Sequence, residues 1–268
     1  MEAFEVIKGD SPLILAMPHT GTYIPESVWE HLNEAGRTLR DTDWHIDKLY
    51  HGLMPDATTV RALFHRYVID ANRAPTDESL YPGQNTTSLC PITDFDGNPI
   101  YLDGQAPDDS EIESRRNNFH APYHEAISKE IERVHAQHGV AILYDFHSIR
   151  SLIPFLFEGK LPDFNIGTNN GTTCAKLMEK GVIDICSGAP GFSSVLNGRF
   201  KGGWTTRHYG HPDRNIHAVQ MELAQSTHLA SEALPFDYSP EIAANIRPHL
   251  KNILEELTNQ ALKISKKG

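Results

Sequence analysis

Basic residues are scarce in this chain. Its 24 Lys and Arg face 35 Asp and Glu, a formal net charge of −11 over 268 residues. That balance argues against partners that demand a broad cationic face, nucleic acid and anionic membrane among them. Cysteine is scarce too: Cys90, Cys174 and Cys186 are an odd number at no metal-binding spacing. They predict reduced thiols in a cytoplasmic protein rather than a disulfide framework. No apolar run approaches bilayer-spanning length, and the opening MEAFEVIKGD has early acidic residues and no long apolar core, so no secretory leader is expected. Neither a G-x-x-x-x-G-K-S/T loop nor a G-x-G-x-x-G turn occurs, which removes the usual nucleotide cofactors. Ser148 stands in DFHSI and not in a G-x-S-x-G elbow, so it is not read as a nucleophile.

Histidine is abundant instead. Fifteen are present, and they direct attention to metal or acid–base chemistry. The 39% hydrophobic content is that of an ordinary globular protein, with length enough for one large core.

Along the chain, Leu13 to Met17 reads as a buried strand closed by Pro18 and Gly21. In DTDWHIDKLYHGL, the spacing of Trp44, Ile46, Leu49 and Tyr50 predicts a helix with Asp41 or Thr42 as its N-cap. Two strand-like pieces follow in ATTVRALFHRYVIDANR. Residues 74–107, rich in Pro, Gly, Asn and Asp, predict a long lid or binding loop. Residues 109–138 predict an amphipathic helix broken at Pro122, which leads into a strand over 141–146. A loop, a helix in CAKLMEKGVIDI, a Gly-rich connection, a strand in HAVQMELAQS and a terminal helix complete the chain.

Strands alternating with helices predict an α/β fold, a layered α/β/α domain over residues 1–268 with a mainly parallel or mixed central sheet. In such sheets the carboxyl ends of the strands line the ligand crevice. His19, Asn72-Arg73, His147 and Glu222 each fall at or near the end of an apolar run. A strand-end histidine can be a metal ligand or simply a hydrogen-bonded side chain, and His19 and His147 together favour the ligand. Asp43 and Asp47 are either capping and solvated acids or cation ligands. Glu222 either faces solvent or, if desolvated in the crevice, is tuned toward a general base. Arg66, Arg73, Arg150, Arg199 and Arg207 supply guanidinium forks suited to carboxylates.

Eight segments in order, MPHTGTYIP, DTDWHIDKLY, VIDANRAP, YHEAI, YDFHSIRS, IGTNNGTTC, NGRFKGGWTTRHYG and HAVQMELAQS, resemble blocks of the N-formylglutamate amidohydrolase family. The resemblance implies hydrolysis of N-formyl-L-glutamate to formate and L-glutamate, a step of histidine degradation. It also implies a fold related to zinc carboxypeptidases and zinc amidases. Carried over residue by residue, it implies Zn²⁺, or another divalent metal, held by His19, Asp43 and His147, with Asp47 and then His45 as alternatives to Asp43. The carboxypeptidase glutamate three residues after the first histidine is absent, since Thr22 stands there. It further implies Glu222 as the base that activates a metal-bound water. Asn72, Arg73, Arg199 and Arg207 would bind the substrate carboxylates, with Asp145 steadying His147. A related amidohydrolase acting on another N-acyl amino acid and a non-catalytic dicarboxylate-binding module are the alternative readings.

Overall fold

The computed structural model describes residues 2–80 and 83–265. Its seven strands are Phe4–Ile7 (β1), Leu13–Met17 (β2), Thr58–Ala62 (β3), Ala141–Ile149 (β4), Phe164–Gly167 (β5), Ser194–Leu196 (β6) and Ile216–Ala224 (β7). They form one sheet in the order β1-β3-β2-β4-β7-β5-β6. β3, β2, β4 and β7 are parallel, β1 and β5 pair antiparallel with β3 and β7, and β6 runs parallel to β5. The sheet is therefore mixed, with a parallel centre.

β4 and β7 are buried over all nine residues of each, which is why they read as continuous apolar runs. Leu13, Leu15, Ile142, Tyr144, Phe146, Val219, Met221 and Leu223 face one layer, made by Ile46–Tyr50 (α3), Lys176–Ser187 (α6) and Pro240–Ser265 (α8). Ile14, Ala16, Val60, Ala141, Leu143 and Ala218 face the other, where Ala121–His138 (α5) packs through Tyr123, Ile127, Ile131 and Val134. That second face changes character along β4 and β7. Beneath α5 it is apolar; past the end of α5 it carries Asp145 and His147 beside Gln220 and Glu222.

The chain leaves β2 for β3 on one side and then crosses to β4 on the other. The carboxyl ends of β2 and β4 thus flank a topological switch point, where adjacent connections diverge and leave a crevice. His19 follows β2, and His147 lies near the end of β4.

Several local expectations change. The helix in DTDWHIDKLY is only Ile46–Tyr50, because His45 sits in the left-handed region at φ 58° and blocks any earlier turn. Neither Asp41 nor Thr42 caps it. The second strand expected before Asn72 is absent, and Val68 to Arg73 form turns whose carbonyls find partners elsewhere. β1, β5 and β6 are short, and β5 lies in a segment that reads as loop. The strand read over 141–146 continues to Ile149, since β7 pairs with it throughout. The break before Pro122 is a π-helical turn, Arg116–His120, between Asp109–Arg115 (α4) and α5. Cys90, Cys174 and Cys186 are buried and unpaired. No helix among the described residues is long and apolar enough to cross a membrane.

Phe146 points away from the crevice and stacks on Tyr50 with ring centroids 4.3 Å apart. Truncating it to Ala should cost about 3–5 kcal/mol in urea unfolding, since the rigid sheet cannot close the void. A loss under about 1 kcal/mol would show that β4 is not anchored from this side.

Candidate active site

His19, Asp43 and His147 are buried, and each turns one ligand atom inward, all within 4.8 Å of one another. Three elements hold them. The Asp43 backbone N–H donates to the His19 carbonyl at 3.1 Å, and the Ser148 backbone N–H donates to Asp43 Oδ2 at 3.1 Å. Asp43 thus bridges the exits of β2 and β4, and Ser148 contributes its backbone. His45 and Asp47 fall outside the group. His45 lies beside the rings of Trp44 and Tyr238, and Asp47 accepts from Arg61 at 3.0 Å. The left-handed residue at 45 separates Asp43 from the helix that would have set it beside Asp47.

The two imidazoles meet Nδ1 to Nδ1 at 3.2 Å. His19 Nε2 donates to Asp70 Oδ1 at 2.7 Å, so its Nδ1 presents a lone pair. His147 Nε2 lies 3.0 Å from Asn72 Nδ2 and 3.2 Å from Asp145 Oδ1. The Asn72 amide, whose Oδ1 accepts from the Thr205 N–H, donates from Nδ2 to Nε2, and Asp145 Oδ1 lies buried beside the same nitrogen. Nδ1 of His147 faces Nδ1 of His19, with Asp43 Oδ2 3.2 Å away. A carboxylate behind each histidine and the opposite nitrogens facing one point is the usual arrangement around a bound divalent cation.

Charge points the same way. Asp43, Asp70, Asp145 and Glu222 are buried carboxylates, and Arg66 is the buried guanidinium among them. Burial pulls the His147 imidazole down, but Asp145, Asp43 and Glu222 outweigh it and hold the group well above its usual range. Burial and Arg66 lower His19 despite Asp70. The surroundings therefore favour a positive charge between the rings. His19, Asp43 and His147 fit a divalent metal by number, donor type and the anchoring of their outer atoms.

Glu222 pairs across the sheet with His147 in the parallel register, on the same face. Burial, with the Asp43 and Asp145 carboxylates, pushes it up to about 8 against the pull of His147 and Arg66. Gln220 accepts from the Gly203 N–H at 2.6 Å and turns its amide N–H₂ toward Glu222 Oε2, 3.4 Å away.

One cavity is lined by His19, Asp43, His147, Gln220 and Glu222 and by Arg66, Asn72, Arg73, Phe95 and Arg199. Asn85, Thr86 and Thr87 also line it, so the 74–107 segment does reach the crevice. Arg73 donates from Nε to the Thr87 carbonyl at 3.0 Å. Arg199 bridges the carbonyls of Leu156 and Asn85 at 3.1 and 3.0 Å. Arg207 does not line the cavity; its Nε donates to the Gly202 carbonyl at 2.8 Å and braces the loop from behind. Arg150 is likewise engaged elsewhere, with Asp96 at 2.9 Å.

Sequence reading passed over Asp70 and Gln220. Asp70 accepts from His19, from the Asn72 N–H at 2.9 Å and from Arg66 at 2.5 Å; burial pushes it up, but Arg66, His19 and Arg73 outweigh this and hold it well below the usual carboxylate range. Its position directly after the apolar Tyr67-Val68-Ile69 was the available signal.

Gly203 closes one wall. A Cβ there would meet Asn72 Nδ2 at 2.4 Å, although its backbone angles suit any residue. Gly203→Ala should therefore cost about 1–3 kcal/mol by overpacking, read in chemical denaturation. An unchanged midpoint would mean that Asn72 is free to move aside.

A sequence profile described as N-formylglutamate amidohydrolase matches residues 11–229. A protein of Pseudomonas aeruginosa named N-formylglutamate deformylase is 45% identical over 257 residues, covering 96% of both chains. One of the same name from Pseudomonas putida is 46% identical over 251 residues, covering 93% of each. In three dimensions the chain is similar to an N-formylglutamate amidohydrolase from Ralstonia eutropha JMP134, with a TM-score of 0.76 at 23% identity, covering 100% and 98% of the two chains. A gene product of Agrobacterium tumefaciens shares the fold with a TM-score of 0.71 at 18% identity, covering 99% and 97%. With the profile spanning most of the chain and two relatives this similar from end to end, the chain belongs to the N-formylglutamate amidohydrolase family.

Proposed function

We propose that this chain hydrolyses N-formyl-L-glutamate to formate and L-glutamate, within histidine degradation in the cytoplasm, and that its 268 residues form one catalytic domain. The observation that carries the reading is one cavity joining a three-atom cation site, a desolvated carboxylate and several guanidinium groups, in a chain of this family.

His19 Nδ1, Asp43 Oδ2 and His147 Nδ1 would hold the metal, which we take to be zinc. When bound it would supply Lewis acidity at the formyl carbonyl and make water a stronger acid. Glu222 acts as the base: it takes a proton from the water that adds to the formyl carbon and delivers it to the glutamate nitrogen as the C–N bond breaks. A base must be ionised, and the cation's charge counters the burial that raises Glu222. Arg66, buried and charged beside the cavity, faces the developing oxyanion. Arg73 and Arg199, with the amide of Asn72, receive the two substrate carboxylates. Arg207 is set aside, since it braces the Gly202 loop.

Glu222→Gln should lower kcat about 10²–10⁴-fold with zinc content unchanged, measured by formate release and metal analysis. Near-normal turnover would remove Glu222 as the base. His147→Ala should abolish stoichiometric zinc, and Asp70→Asn should weaken zinc binding about 10–100-fold through the loosened His19 ring. The guanidinium groups predict that N-formylglutamate is preferred about 100-fold over N-formylmethionine, which has no side-chain carboxylate for them to receive. Equal rates on the two, or faster release from an N-acetyl substrate, would favour a different N-acyl amino acid.

A further inference from the structure

The π-helical turn ahead of α5 brings three side chains onto one line. Arg115, His120 and His124 stand five and then four residues apart, so a regular α-helix would not keep all three on one line. The wider π turn between Arg115 and His120 absorbs the extra residue. All three side chains then reach the same irregular stretch. Arg115 donates to the Val68 carbonyl at 3.0 Å, His124 Nε2 meets the Ala71 carbonyl at 2.8 Å, and His120 Nε2 meets the Arg73 carbonyl at 3.0 Å. The carbonyl between them, that of Asn72, accepts from the Trp204 N–H at 3.4 Å.

A carbonyl only accepts, so each histidine must carry its proton on Nε2. His124 Nδ1 lies 3.1 Å from the Tyr209 hydroxyl, which donates to the His124 carbonyl at 3.1 Å. The Trp204 ring stands edge-on to His124 with centroids 4.5 Å apart, which fixes the imidazole plane. Neither histidine lines the cavity or belongs to the cation group.

With three successive carbonyls tied down on one side, the side chains of residues 70–73 are presented on the other. Asp70 reaches His19, Asn72 reaches His147, and Arg73 enters the cavity. We propose that His120 and His124 are positioning residues for the reaction, His124 acting through Asp70 and Asn72 on the two metal-facing imidazoles and His120 acting through Arg73 on the substrate carboxylate. The kinetic half of this inference rests on the deformylase reading above; the metal half does not.

Glutamine can place an amide N–H where the histidine Nε2–H stands, whereas asparagine falls short with similar polarity. The full-length protein is therefore compared with H120Q, H120N, H124Q and H124N. Zinc dissociation constants come from chelator competition, KM and kcat from formate release, and folding from Tm. H124N should weaken zinc about tenfold, and H120N should raise KM about tenfold with kcat within about twofold, the range seen when outer partners of a site are lost. The Gln variants should stay within about threefold of wild type in both quantities. Gln and Asn variants that match each other, whether both silent or both damaged, overturn the proposal. A Gln variant with wild-type Tm but a tenfold loss of its own does the same. Wild-type protein that binds zinc yet releases no formate would defeat the deformylase reading alone, and the zinc comparison at His124 would still decide this inference.

Discussion

Two buried imidazole nitrogens face each other at 3.2 Å, and most of the site follows from making that contact tolerable. Two lone pairs at this separation repel, so either one ring offers its N–H to the other or a cation stands between them. The surroundings tell which kind of charge the fold is built for. Asp70 and Asp145 occupy the outer nitrogens, and Asp43 closes the third side. A single proton sits on one ring nitrogen at a time, whereas a cation would meet the Nδ1 atoms of both rings and the Asp43 carboxylate together.

Burying four carboxylates around one guanidinium is costly unless each is paired, because desolvation outweighs attraction at an imperfect geometry. The fold meets this cost by using backbone as well as charge. Asp43 takes the Ser148 N–H, Asp70 takes the Asn72 N–H, and Arg66 lies over the Phe95 ring 4.5 Å away while pairing with Asp70. The parallel register of β4 and β7 sets His147 against Glu222, so the two come from adjacent strands of one rigid sheet rather than from loops. The loops contribute Arg73, Asn85 and Arg199 to the cavity wall beside that sheet end.

Particular residues show how far sequence reading reaches. His19, His147 and Glu222 were visible because each interrupts or ends an apolar run, and the end of a run is a local property. Asp43 was visible only as one of several acids. What separates it from Asp47 is the left-handed backbone at His45, a conformation that non-glycine residues rarely adopt and that no local pattern announced. Arg199 and Arg207 both lie in Gly-rich stretches and look alike as sequence, yet one lines the cavity and the other props a loop.

The sequence by itself determined the alternation of strands and helices, the strand ends that carry chemistry, the absence of nucleotide and disulfide frameworks, and the ordered blocks that mark the family. These depend on periodicity, composition and short spacings, which the chain carries locally. Tertiary structure alone decided which acid joins the two histidines, that Asp70 stands behind His19, that Gln220 leans on Glu222, and that a π turn brings His120 and His124 to the Asp70–Arg73 loop. Each of those is a contact between segments far apart in the chain, created by sheet order and by which carbonyls remain unpaired once the strands have formed.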